Sequence, residues 1–448
     1  MADENKSQCV TAQFDTKKLL MISIGTFVGS GVVSILGVAA GLTGYSVWLA
    51  YLAAVIIGFT SALTTMAISS CMTFNGGVYS LACTFLGVRF SGAFALYSFM
   101  FSISIAMMAS AFGTYVQSVF PSANTRAFAI GILVIFWAVQ CLGIDFMATV
   151  QKYSTYILLV AMLVFCVFSY KGLNMDTFNF SGDKFMTGGV SGFFGAMAML
   201  VFSAQTYDSN LLPYGKFTKD SKKVMPKVMI YTMIILVAVY VGTAIAAVGA
   251  VDIATASGNP LTDPARAVLP APLFYAFIVL GPVLCLTTTI NGALGGNVIT
   301  LQKATEDGWF PEAFADVNKR GAAWKIVTVL IGMCILIILF SVNIGWLTSN
   351  AVLVISCFQV PLLFSVWKLP DKFPEGFAGN TMKLSKTGYH VLVVVSIIAR
   401  FIIIFWAAMD LNLVNVLVII GAVAVCFTYS FLRHKYHAIN VDYNYYFD

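Results

Sequence analysis

The chain has 448 residues, 59% hydrophobic and only 10% charged, whereas soluble domains carry roughly 25% charged residues. At about 20 apolar residues per crossing, bilayer spans use up most of that length, which excludes a soluble catalytic domain. The formal charge of +6 lies in short loops, not on a basic folded face, so a nucleic-acid partner is not expected.

The first 16 residues are polar and carry Asp3, Glu4 and Asp15, unlike a cleavable leader with a basic start and a small-residue cleavage site. They are expected to stay in the cytoplasm as a tail over residues 1–16. Gly, Pro and charge clusters then bound twelve apolar spans, at 17–40, 44–70, 91–120, 127–147, 150–170, 187–213, 227–251, 272–303, 324–344, 347–369, 388–409 and 412–433. Residues 434–448 form a second cytoplasmic tail. Lys and Arg gather in short cytoplasmic loops, and the placement meets that test. With both termini inside, 20 of the 25 basic residues fall inside, among them the run Lys216, Lys219, Lys222, Lys223 and Lys227. Only Arg126, Lys171, Lys184 and Arg266 fall outside, and Arg400 lies within span 11.

Span 1 reads Ile24-Gly25-Thr26-Phe27-Val28-Gly29-Ser30-Gly31-Val32, and each glycine weakens a helix by about 1 kcal/mol relative to alanine. Gly29-Ser30-Gly31 allows the backbone to unwind, freeing amides that attract a carboxylate and carbonyls that attract an ammonium or a cation. The same glycines also fit a close-packing face, since Gly25 and Gly29 make a GxxxG pair. Span 6 contains the polar stretch Phe202-Ser203-Ala204-Gln205-Thr206-Tyr207-Asp208-Ser209-Asn210. Asp208 is either an intramembrane carboxylate, and then a functional group, or a residue at the cytoplasmic surface beyond the end of the span. Interrupted spans at corresponding places in two halves flag a transporter binding site. Arg400 in span 11 reads as a substrate or gating contact, or as an arginine that pairs helices or snorkels. The nine cysteines show no CxxC pair and read as small core residues.

These segments resemble the amino acid–polyamine–organocation (APC) permeases. Gly25-Thr26-Phe27-Val28-Gly29-Ser30-Gly31 resembles the family's first-helix motif. Phe202 to Ser209, followed by Val224-Met225-Pro226-Lys227, is similar to its sixth-helix stretch. Asn75-Gly76-Gly77-Val78-Tyr79 resembles the motif after helix 2. Glu306-Asp307-Gly308-Trp309-Phe310-Pro311, with Val317-Asn318-Lys319-Arg320-Gly321, resembles the loop after helix 8. The resemblance implies an all-α integral membrane protein of LeuT-type fold with twelve transmembrane helices. Residues 17–170 and 187–369 would be inverted repeats of five helices, residues 388–433 two appended helices, and helices 1 and 6 broken. It implies a substrate site in which the carboxylate meets amides near Ser30 and Gly31, in the stretch that includes Thr26 and Gly29. The amino group would meet carbonyls around Ile24, Gly25, Phe202 and Ser203, with Phe202 as a lid. Met100, Phe101, Ile105, Gln205 and Ala293 would line the side-chain pocket.

The departures matter too. Span 5 runs Tyr156-Ile157-Leu158-Leu159 where many members carry a lysine in place of a sodium ion, and Ile299 replaces a common arginine. The arginine/agmatine antiporters, which the chain resembles along span 3, have an asparagine where this chain has Ile105 and a tryptophan where it has Ala293. A less polar, roomier pocket follows, which disfavours a guanidinium or diamine, with Asp208 the one counter-charge. For coupling, Thr287, Thr288 and Thr289 either supply hydroxyls to a sodium ion or bond their own backbone, and Asp208 is the candidate proton carrier. His390, His434 and His437 lie near or beyond span ends, so no histidine relay is expected.

The expected protein is a secondary active transporter of a neutral or apolar amino acid, working by exchange or proton symport and needing no cofactor. A polyamine or biogenic-amine antiporter is the alternative. An integral-membrane enzyme is disfavoured, since no HExxH, GxSxG or paired intramembrane aspartates occur, and a channel is disfavoured by the two broken helices of a single chain. The partners expected are the amino acid and the lipid bilayer, the oligomeric state staying open. Compact loops point to a bacterial plasma membrane.

Overall fold

A computed structural model describes residues 14–29, 31–205, 207–340, 344–409, 411–441 and 445–447, without the side chains of Ser34, Asp208, residues 344–352 and Tyr446. Most of the first tail, Ser30 and the Asp208 side chain therefore lie outside the described residues. The helices are α1 (Thr16–Phe27), α2 (Leu36–Thr43), α3 (Val47–Ser61), α4 (Leu63–Ser69), α5 (Val78–Leu86), α6 (Val88–Phe101), α7 (Ile103–Val119), α8 (Thr125–Cys141), α9 (Ile144–Tyr170), α10 (Gly189–Val201) and α11 (Tyr207–Leu211). They continue with α12 (Ser221–Gly249), α13 (Ile253–Ala256), α14 (Thr262–Val268), α15 (Ala271–Ile278), α16 (Leu284–Glu306), α17 (Trp324–Leu339), α18 (Ile344–Ser365), α19 (Leu369–Lys372), α20 (Pro374–Ala378), α21 (Lys386–Ala408) and α22 (Leu413–Tyr436). The one strand pair among the described residues is β1 (Thr73–Phe74) antiparallel to β2 (Tyr445–Tyr446).

The molecule is an all-α, multi-pass membrane protein. Eight helical runs among the described residues are long and apolar enough to cross a bilayer, and α8, α10 and α17 are shorter apolar helices. Several of the segments expected as single spans are divided. α1 is cut off from α2, α10 from α11, α3 from α4 at Ala62, and α6 from α7 at Ser102. The run Leu36–Ser61 counts as one by length, yet it contains Gly44 at φ 73, a conformation that glycine adopts without strain and that ends α2.

Helix starts follow local chemistry. Asp15 caps α1, its side chain accepting from the Lys18 amide, and Asn124 and Ser385 cap α8 and α21 in the same way. The boundary between spans 4 and 5 departs from the expected one. The turn falls at Gly143, φ 98, and α9 begins at Ile144. Asp145 in its first turn is paired with Lys18 at 2.8 Å, where a carboxylate favours the positive helix end. The turn glycine, and not the later charge, sets the boundary.

The centre of the bundle is α1, packed against α9, α12 and α16. α22 is peripheral: 11% of its most apolar window is buried, against 61% for α6–α7, so its leucines, valines and phenylalanines face outward, as a bilayer requires. On the side of the basic loops the two motifs after spans 2 and 8 meet. The Tyr79 hydroxyl donates to Asp307 Oδ2 at 2.7 Å and Lys303 Nζ to Oδ1 at 2.6 Å, while Trp309 is fully buried against Gly92, where a Cβ would clash with its ring. Burial pushes the Asp307 carboxyl pKa up against the opposing effect of the Lys303 and Tyr79 hydrogen bonds.

Candidate functional site

In span 1, regular α geometry ends at Phe27; Val28 caps it with ψ 88, and the chain resumes as a π turn over Gly31–Ile35 before α2. The carbonyls before such a break lose their intrahelical donors, and side chains from neighbouring helices supply replacements. The Tyr240 hydroxyl on α12 donates to the Phe27 carbonyl at 2.5 Å. The Cys285 thiol on α16 lies 3.0 Å from the Val28 carbonyl and 3.2 Å from that of Gly29. Thr289 Oγ1 reaches the carbonyls of Val28 at 3.3 Å and Gly25 at 3.4 Å.

The glycines also do the packing that the GxxxG spacing suggests. A Cβ on Gly25 would run into Thr155 and Gln151 of α9, and one on Gly29 into Thr289. Unwinding and close packing thus occur together, because capping the freed carbonyls from α16 requires that helix to approach the backbone itself.

In span 6, α10 ends at Val201, residues 202–205 turn, and α11 starts at Tyr207. The Ser203 carbonyl lies 3.3 Å from the Tyr240 hydroxyl that also serves Phe27, so one side chain of α12 touches both interruptions. Tyr240 is held by stacking on Tyr51, ring centroids 4.6 Å apart, and Tyr51 Oη lies 3.4 Å from Ser203 Oγ.

Between the interruptions is a cavity of about 50 Å³. Eight of the residues expected at the site line it: Thr26, Gly29, Gly31, Phe101, Phe202, Ser203, Thr289 and Ala293. The other described residues face elsewhere. Met100 lies with its sulfur 3.9 Å from Cys426 of α22. Ile105 is fully buried in the helix packing. Gln205 accepts a hydrogen bond from Arg400 on α21 at 2.8 Å. The Ile24 carbonyl accepts from the Val28 amide, and Gly25 faces α9. Thr287 and Thr288 bond the carbonyls of Leu284 and Cys285 in their own helix, the backbone alternative. Ser30 and the Asp208 side chain fall outside the described residues.

Phe27, Ser104, Met108 and Asn210 complete the lining and were not expected from the sequence, nor were Tyr240 and Cys285. On α6–α7 the lining residues Phe101, Ser104 and Met108 stand at i, i+3 and i+7, one helical stripe. Met100, Phe101 and Ile105 straddle two faces, and Ser104, three residues after Phe101 in a largely apolar run, was the available signal. Beneath the cavity a neutral network joins α1, α8, α9 and α16. Thr155 donates to the Met21 carbonyl at 3.0 Å, Gln151 to that of Thr288 at 2.9 Å, Asn291 to Gln151 Oε1 at 2.8 Å, and Gln140 to the Asn291 carbonyl at 3.1 Å.

Residues 14–437 match a family described as amino acid permease. An uncharacterised protein of Methanocaldococcus jannaschii is 23% identical over 355 residues, 76% of this chain and 79% of that protein. The inner membrane transport protein YbaT of Escherichia coli is 22% identical over 347 residues, 74% of this chain and 78% of its own. The branched-chain amino acid permease BcaP of Bacillus subtilis is 22% identical over 340 residues, covering 70% of this chain and 71% of that one.

Proposed function

The chain belongs to the amino acid permease family, a family of membrane transporters and not of enzymes, and from that premise we propose that it moves a neutral, apolar amino acid across a bacterial plasma membrane by alternating access. The observation that carries the reading is the facing pair of interruptions, Phe27–Gly31 and 202–205, on one cavity. Amides freed at the start of the second segment, at Ser30 and Gly31, take the carboxylate. The carbonyls of Gly29 and Phe202 take the ammonium, which competes there with the capping thiol.

Phe27, Phe101, Met108 and Phe202 supply apolar lining and Ser104 and Asn210 a few polar atoms, a composition usual for small-molecule sites. None of the described lining residues is ionisable, so apart from Asp208 a second ammonium or a guanidinium would find no counter-charge there, which speaks against the polyamine alternative. A relative named as a branched-chain permease supports the same class. In this reading the chain crosses twelve times with both tails, 1–16 and 434–448, in the cytoplasm. Residues 17–170 and 187–369 are inverted repeats and 388–433 the appended pair. The segments of α1, α3–α4, α10–α11 and α12 move against α6–α7, α8, α16 and α17.

The neutral network of Thr155, Gln151 and Asn291 fills the junction of α1, α9 and α16 with paired groups, which supports transport without sodium there. Exchange and proton symport differ in whether Asp208 titrates during the cycle. In proteoliposomes, uptake of radiolabelled L-leucine is expected to be saturable, unchanged when sodium is replaced by choline, and absent for putrescine. Acceleration by internal leucine, with no response to a pH gradient, assigns exchange; a pH-gradient response abolished by Asp208→Asn assigns symport. A thermal-shift screen checks the class independently, since a ligand that binds only the folded protein raises its melting temperature. Stabilisation by amines and not by amino acids would overturn the reading.

A further inference from the structure

Span 11 looks peripheral in sequence order, yet α21 packs along α3, α4 and α10, with Trp406 stacked on Phe194 at 4.5 Å between centroids and 5° between planes. Two of its polar residues, one helical turn apart, enter discontinuities in other helices. Where α3 gives way to α4 at Ala62, the Ser396 hydroxyl accepts from the Thr64 amide at 3.2 Å and donates to the Thr60 carbonyl at 3.1 Å. It thus stands in the i to i−4 ladder of the partner helix, a recognised cause of a helix bend.

Arg400, only 3% exposed, donates through Nη1 to Gln205 Oε1 at 2.8 Å, and its Nη2 lies 3.4 Å from Ser61 Oγ. Gln205 is the last described residue of the turn after α10, two residues beyond Ser203, which lines the central cavity. The two helices so joined are also in direct contact, since a Cβ on Gly58 of α3 would lie 2.5 Å from the Ala204 carbonyl. The Arg400 cluster encloses a separate space of about 20 Å³ lined by Ser61, Thr64, Gln205 and Gln359, so the guanidinium does not reach the central cavity.

We propose that α21 splices the bend of α3–α4 to the turn after α10, with Ser396 and Arg400 as positioning residues that set the shape of the Phe202–Gln205 segment and hence substrate affinity. A guanidinium at bilayer depth is costly to keep, and an apolar side chain of similar size would pack two helices at least as well. The geometry gained is the fixed fork of donors, which holds an amide oxygen of one helix and a hydroxyl of another in a single register.

The test uses the full-length protein and the variants Arg400→Met, Gln205→Leu and Ser396→Ala, with Ile403→Ala, another fully buried position of α21, as a control for loss of packing alone. Hydrogen–deuterium exchange followed by mass spectrometry needs no substrate. Arg400→Met and Gln205→Leu are expected to speed exchange about fivefold or more in peptides covering 202–211, and Ser396→Ala in those covering 60–66, with peptides of α16 unchanged. In proteoliposomes with L-leucine as the probe, Arg400→Met is expected to raise KM about tenfold with kcat within about twofold. Arg400→Lys should recover part of the loss by restoring one donor, and the Arg400→Met/Gln205→Leu pair should be no worse than either alone.

Ile403→Ala should lower melting temperature and leave KM alone. Unchanged exchange over 202–211 in a folded Arg400→Met or Gln205→Leu protein, or additive KM effects, overturns the proposal. Should Arg400→Met not fold, the Gln205→Leu and Ser396→Ala measurements decide alone. The affinity arm rests on the cavity being the leucine site, whereas the exchange arm does not: a wild-type protein that fails to take up leucine counts against the proposed substrate and leaves the exchange result standing.

Discussion

The two interruptions of the bundle are built by opposite means. In span 1, three glycines in the stretch Gly25–Gly31 bring the backbone against α9, α16 and Ser203, and the freed carbonyls are capped at short range by Tyr240, Cys285 and Thr289. In span 6 the stretch 202–205 has no glycine. It is held from the side, by the Tyr240 hydroxyl on Ser203 and by Arg400 on Gln205. A break that must be approached closely is written in the residues it lacks, side chains at the glycines. A break held from outside is written in residues far away in sequence.

The comparison can be broken first at its glycine end. Gly29→Leu places a side chain where Thr289 stands and fills the cavity. Since even a 1 Å misplacement can cost about a hundredfold, leucine uptake is expected to fall to background with the protein still monodisperse. Normal uptake would remove Gly29 from the site. The shared support comes next. Tyr240→Phe keeps the ring and its stacking on Tyr51 but leaves the Phe27 carbonyl without that donor, at a cost of about 1–3 kcal/mol. The expected results are a lower melting temperature and weaker leucine binding, together; a change in only one would show that Tyr240 serves one interruption and not both. Cys285→Ala removes a weaker donor, and Cys285→Ser supplies a stronger one, so the first should slow uptake less than Tyr240→Phe and the second should leave it near wild type.

How far the sequence discloses this arrangement depends on the kind of signal each residue leaves. Composition identifies the bilayer, and Gly25, Gly29 and Gly31 flag either an interruption or a close-packing face, a choice the sequence leaves open and the fold answers with both. Asn75 to Tyr79 and Glu306 to Pro311 look like separate motifs, and only the fold shows Tyr79 donating to Asp307. The start of α9 at Ile144 follows from a positive φ at Gly143, which residue type permits but does not announce. Gln205 was legible as important and misplaced in orientation, since a turn rotates the side chains after it off the helical stripe. Arg400 was legible as costly, but its partner lies 195 residues away, and no periodicity within α21 points to it.

The smallest effect tests the register of α6–α7. Phe101, Ser104 and Met108 share one helical stripe that runs on past Ser102, whose hydroxyl accepts from Asn297 of α16 at 2.9 Å, so that Met108 and not the fully buried Ile105 faces the cavity. Met108→Ala enlarges the space available to a substrate side chain. Because one methylene in an apolar pocket is worth only about 1–3 kcal/mol, it should shift the ratio of leucine to phenylalanine kcat/KM toward phenylalanine by about tenfold, with little change in melting temperature. Met100→Ala, which loses its contact with Cys426, should do the reverse and soften the packing of α22 without touching that ratio. If Met100→Ala moved the ratio and Met108→Ala did not, the stripe of Phe101, Ser104 and Met108 would not be the face of α6–α7 that meets the substrate.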